Sequence, residues 1–150
     1  MSPDKDASQI FVHATAIAID RAGVLLLGPS GSGKSDLALR LIDAGARLIA
    51  DDQVILTRIG EKLIANAPPP LAGRLEVRGL GIMTLEGGQV WRKMPIMLAV
   101  ELVAPDRIER LPEKTTRDFL GFALPLIRLT PFEASAVAKL RLAARTMKRA

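Results

Sequence analysis

GPSGSGKS, Gly28 to Ser35, decides the fold. It fits G-x-x-x-x-G-K-[S/T], and its context gives the pattern meaning: an apolar run, Val24 to Leu27, precedes it and helical spacing follows. Glycines at 28, 31 and 33 let backbone N–H groups turn toward a phosphate, with Pro29, Ser30 and Ser32 completing the loop. A helix beginning near Lys34 adds its positive end, Lys34 a mobile charge, and Ser35 a hydroxyl for Mg²⁺. A plain glycine turn does not explain the Lys-Ser pair. The chain is therefore expected to be a P-loop domain of α/β (α+β) class that binds a phosphate group together with Mg²⁺.

Around the loop, IFVHATAIAI (Ile10 to Ile19) alternates like a strand, DRAG turns, and Val24 to Leu27 enters the loop. Ser35 to Ala44 carries Leu37, Leu41 and Ala44 at helical spacing, and Gly45 stands where a C-terminal cap belongs. ARLIADD reads as a buried strand ending in two acids; QVILTRI, GEK and LIANA read as a hairpin. Pro68 to Pro70 break the chain, and a segment with glycines at 79 and 81 follows. PIMLAVELV is the most strand-like run, PDRIERLPEKTTR a polar loop, and DFLGFALPLIRL one extended piece. TPFE, Thr130 to Glu133, matches a capping box with proline at the first helical position, opening a helix that runs to near the C-terminus. Residues 1–9 read as a flexible start and 10–150 as a single domain.

Composition narrows the setting. The chain has 150 residues, 49% of them hydrophobic, and no cysteine, which excludes disulfides and thiolate metal sites. The start MSPDKDASQ is polar, and no apolar run approaches the roughly 20 residues a spanning helix needs. A cytoplasmic location without membrane contact is expected. The net charge of +5 resides in the final helix, in Lys139, Arg141, Arg145, Lys148 and Arg149. With one Trp, four Phe and no Tyr there is little for bases to stack on, so nucleic acid is not the expected partner. The basic face is either simply solvated or a docking surface for an acidic or phosphorylated protein.

P-loop enzymes hold their metal with an acid on a neighbouring strand, and here there are two, Asp51 and Asp52. Successive strand residues point to opposite faces, so one carboxylate is expected toward the metal and the other toward an incoming hydroxyl; the alternative is that both cap a strand end. His13, taken alone, is a core or edge histidine, and Glu76 a surface acid.

Taken together, His13, GPSGSGKS, LIADD and LEVRGLGIM stand in the order and spacing of the catalytic domain of the HPr kinase/phosphorylase family, which the chain resembles over nearly its whole length. The resemblance implies a mixed sheet similar to that of phosphoenolpyruvate carboxykinase, with a C-terminal helix. It implies ATP-dependent phosphorylation of a serine on HPr, the phosphocarrier of the sugar phosphotransferase system, with reversal by inorganic phosphate. By the same resemblance Lys34 is the P-loop lysine, Asp52 the base, and His13 a catalytic histidine. Ser35 and Glu76 match metal ligands, Arg78, Gly79 and Gly81 a segment used in both directions, and Arg110 a loop arginine. A homo-hexamer is implied as well. Two departures stand out. Only about ten residues precede the first strand, which reads as a short form, and PFEA replaces a PGRN loop, which predicts weak phosphorolysis. A small-molecule P-loop kinase and a nucleotide-gated interaction module are the other readings.

Overall fold

The computed structural model describes residues 8–149. The expected flexible start falls mainly on residues 1–7, outside the described residues, while Gln9 already belongs to a strand. Two strands, β1 (Gln9–Val12) and β2 (Thr15–Ile19), replace the single one expected over Ile10 to Ile19. The chain bends at His13 and Ala14 because the two halves take different partners. β1 pairs antiparallel with β5 (Val54–Ile59), whereas β2 pairs antiparallel with both β3 (Ala22–Leu27) and β4 (Arg47–Ala50). Asp20 and Arg21, with φ of 48° and 72°, form the two-residue turn joining β2 to β3, a primed geometry that matches strand twist.

The expected mixed sheet is present, and β9 (Lys93–Leu102) is its spine. It pairs antiparallel with β6 (Lys62–Asn66) through Lys93 to Pro95, and parallel with β3 through Ile96 to Glu101. Its last four residues also pair, in parallel, with β11 (Phe122–Leu129). β5 and β6 form the hairpin read from the sequence. The stretch from Asp118 to Leu129 is a hairpin instead of one extended piece: β10 (Thr115–Phe119) turns through Leu120 and Gly121 into β11. The polar loop expected to reach Arg117 therefore ends at Lys114. β7 (Arg74–Val77) and β8 (Gly81–Thr84) form a separate two-stranded hairpin.

Side-chain alternation splits the core into two layers, one on each face of the sheet. Val24, Leu26, Leu98 and Val100 pack with Leu37 and Leu41 of α1 (Lys34–Asp43) and with Leu140 and Ala144 of α2 (Ala136–Arg149). Leu25, Leu27, Leu56, Leu63 and Leu124 fill the opposite face. β3 leaves no room for a side chain at Gly23, where an added Cβ would lie 2.3 Å from the Pro95 carbonyl oxygen of β9. The register shifts beside it, and Met97 and Leu98 in succession pack on the helix side.

α1 ends as expected: Gly45 is left-handed (φ 107°), and the Ala46 N–H donates to the Leu41 carbonyl at 2.9 Å. α2 begins later than TPFE implies. Residues 131–135 are turns, the first helical bond runs from Lys139 N–H to Ser135 O, and Glu133 pairs with Lys139 at 2.5 Å instead of closing a capping box. Tertiary contacts override the local signal. Arg40 donates to the Pro131 carbonyl, and Pro131 and Phe132 lie against Gly33.

Candidate functional site

β3 runs into the glycine loop, and α1 leaves it with Gly33 as its N-cap in the left-handed region (φ 101°). Lys34 is only 6% exposed, and its Nζ donates to the Gly28 and Pro29 carbonyls at 2.6 and 3.0 Å. An ammonium has three donors, so one remains for an anion. Burial holds Lys34 below its ordinary 10.5, against the opposing pull of the Asp51 and Asp52 carboxylates. Ser32 Oγ is buried with no hydrogen-bond partner among the described residues and lies against Gly28, inside the loop.

The two acids follow β4, outside its ladder, so alternation within a strand is not what separates them. Asp52 instead takes a left-handed backbone, with φ of 73°. Asp51 is 5% exposed and accepts from three donors: Thr15 Oγ at 2.8 Å, Ser35 Oγ at 2.8 and 3.1 Å, and the Glu76 N–H at 3.2 Å. It ties together β2, α1 and β7. Asp52 is open to solvent, and its Oδ1 stands 3.0 Å from His13 Nε2. Strand register explains the encounter. Val12 lies opposite Val54 and Ala16 opposite Ala50, so the bend between β1 and β2 faces the turn between β4 and β5.

These groups wall a cavity of about 490 Å³. It brings together His13, Ser30, Gly31, Gly33, Lys34, Ser35, Asp51, Asp52, Glu76 and Arg78. Gly28, Pro29 and Ser32 belong to the loop but not to the wall; Gly79 and Gly81 lie at the turn of the β7–β8 hairpin. Arg110 lies exposed on the loop between β9 and β10 and is not part of the wall. Among the described residues no three His, Cys, Asp or Glu side chains group as a metal cage. The hydroxyl of Ser35 and the carboxylates of Asp51 and Glu76 are hard oxygen donors, suited to an ion such as Mg²⁺ that takes its remaining ligands from water and phosphate.

Three participants escaped the sequence reading. Thr15 is fully buried, and a lone hydroxyl in the apolar run TAIAI is the signal that could have found it. Phe132, 68% exposed, forms part of the cavity wall, and Arg40 reaches the segment that carries it. Neither has a motif. Arg128, which precedes this segment, is engaged by Glu101 at 2.9 Å.

Known proteins resemble the chain in sequence and in fold. The HPr kinase/phosphorylase of Bordetella petrii is 44% identical over 127 residues, which cover 79% of this chain and 41% of that protein. That of Burkholderia lata is 44% identical over 132 residues, 83% of this chain and 40% of the relative. The chain thus spans about 40% of the length of these curated relatives. A solved structure, the Hpr(Ser) kinase/phosphatase from Coxiella burnetii, superposes with a TM-score of 0.83 at 28% identity, covering 93% of this chain and 97% of that one. Residues 4–148 match the family model described as the HPr serine kinase C-terminal domain, and the chain belongs to that family.

Proposed function

We propose that the domain is an ATP-dependent serine kinase whose substrate is HPr or a related phosphocarrier. The observation that carries this reading is the division of the acid pair: Asp51 is held by Ser35 and Thr15, whereas Asp52 stays open in the cavity beside His13. A nucleotide-gated module would have no use for the second acid. In the proposed reaction the serine oxygen attacks the γ-phosphorus in line, Asp52 takes the hydroxyl proton, and ADP leaves. Lys34 and the loop N–H groups meet the charge that develops on the transferring group, and His13 orients the Asp52 carboxylate. Mg²⁺, when bound, neutralises charge on the β- and γ-phosphates, and Ser35, Asp51 and Glu76 would hold it.

The reverse reaction, phosphorolysis of phosphoserine, is proposed to be weak. It brings two anions together, and the cations nearest the 130–135 segment are already committed: Arg128 to Glu101, Lys139 to Glu133 and Arg40 to Pro131. The exposed Arg145, on the same basic helix, is proposed to meet the carrier, and a homo-hexamer is proposed by resemblance. No helix among the described residues is long and apolar enough to cross a membrane, which is compatible with work in the cytoplasm.

The test mixes the chain with labelled ATP, Mg²⁺ and purified HPr. Label on a serine of HPr is the expected result. Label on a metabolite in a lysate extract, or none transferred at all, would overturn the reading.

A further inference from the structure

We propose that Arg40 is a positioning residue that fastens the segment 130–135 onto the phosphate loop and thereby sets the nucleotide affinity of the site. The inference rests on the kinase reading above and deepens it.

Arg40 is half-buried on α1 and bridges two parts of the cavity wall. Its Nε donates to Asp36 Oδ2 at 3.0 Å, one turn back, and its Nη2 donates to the Pro131 carbonyl. Asp36 lines the cavity, and so does Phe132, the residue after Pro131. Among the described residues this is the hydrogen bond that joins α1 to the segment. The segment in turn presses on the loop: a Cβ built on Gly33 would lie 2.8 Å from the Phe132 ring and 3.2 Å from Pro131. Only a glycine lets the two approach so closely, and Gly33 is also the N-cap of the helix whose N–H groups face the phosphates. A planar guanidinium holds a carboxylate and a carbonyl in one fixed plane from two different nitrogens, whereas an ammonium offers a single, freely rotating nitrogen that cannot span both at this spacing and orientation equally well. An exposed phenylalanine pinned against a glycine loop limits the conformations that loop can sample, so less ordering remains to be done when nucleotide binds.

The experiment is calorimetric titration of the full chain with ATP and Mg²⁺, on the native protein, Arg40→Ala, Arg40→Lys, Phe132→Ala and the Arg40→Ala/Phe132→Ala double variant. Amide hydrogen exchange is followed over residues 129–135 and over β9. Each alanine variant is expected to weaken binding about tenfold, the scale of one lost hydrogen bond to a charged group. The double variant should bind no more weakly than the weaker single variant, because Arg40 acts through the segment. Arg40→Lys should recover only part of the loss. Exchange should quicken at 129–135 and stay slow in β9, which shows that the fold persists. Unchanged affinity in Arg40→Ala, losses that multiply in the double variant, or full recovery by lysine would each overturn the inference. If Arg40→Ala does not fold, Arg40→Lys combined with Phe132→Ala supplies the same cycle. A native chain that binds no ATP would overturn the kinase reading itself, whereas tight native binding that Arg40→Ala leaves untouched overturns this inference alone.

Discussion

Asp52 Oδ1 stands 3.0 Å from His13 Nε2, while the adjacent carboxylate, Asp51, is turned inward onto Ser35. One peptide bond separates a structural acid from an open one. Asp52→Asn keeps the shape and can still hydrogen-bond His13, but it cannot accept a serine proton. Transfer to HPr should fall by roughly 10²- to 10⁴-fold with little change in nucleotide binding. Single-turnover phosphorylation and ATP titration separate the two, and a loss of ATP affinity as large as the loss of rate would refute the assignment.

Asp51→Asn should act on stability as well. An amide can keep its oxygen on the Glu76 N–H, but its NH₂ then meets the Thr15 and Ser35 hydroxyls, whose own protons lose the carboxylate oxygen that accepted them. An unmatched donor in so buried a place costs about 1–3 kcal/mol, or several degrees of Tm in a domain of this size. Asp52→Asn, on an exposed pair, should melt like the native chain. Equal melting temperatures for the two variants would contradict the division.

Lys34 gives a pH signature. Burial depresses its folded pKa below 10.5, so between the folded value and 10.5 the unfolded chain binds the additional proton, and stability rises with pH. The cost of the buried charge is fully present below the folded pKa and fades above it. Compared with Lys34→Met, which cannot titrate, the native chain should gain stability as pH rises from neutrality toward 10.5. Urea unfolding midpoints of both proteins across that range are the measurement, and a difference that is flat or reversed in sign would count against it.

Gly23 is the test of the sheet. Alanine there would place a methyl carbon 2.3 Å from a backbone oxygen of β9, which no rotamer change relieves. We expect a loss of roughly 3 kcal/mol, at the upper end of overpacking costs. Gly45→Ala, whose Cβ would meet nothing within 4 Å, is strained only by its left-handed φ and should cost less. Chemical denaturation ranks the two.

What the sequence disclosed was local, and what it hid was tertiary. Gly28 to Gly45 reads correctly because loop, helix and cap are all specified by neighbours in sequence. The break at His13 stayed hidden because Ile10, Val12, Ala14 and Ala16 continue a period-2 apolar pattern straight through it; only the choice of β4 or β5 as partner makes the bend. β10 was missed because TTRD is polar and exposed, and Leu120 in a left-handed turn is no turn signal. TPFE misled in the opposite direction. Its capping pattern is genuine, yet Arg40, ninety-one residues away in sequence from Pro131, decides the conformation there. Of the candidate site, the loop and the acid pair were legible as motifs. Thr15, Arg40 and Phe132 enter through packing.

The pairing of β9 with β3 bears on how the protein is made. β3 joins β2 within a hairpin, but its other edge waits for Ile96 to Glu101 to be synthesised. Contacts of such long sequence separation form late, since the loop they close must first be ordered. The phosphate loop at the end of β3 therefore emerges from the ribosome well before its supporting strand and spends that interval on an unclosed apolar edge, where chaperone capture or mispairing with a neighbouring nascent chain competes with folding. Nascent chains stalled ahead of Lys93 should show rapid exchange at the β3 amides, and chains released past Leu129 slow exchange.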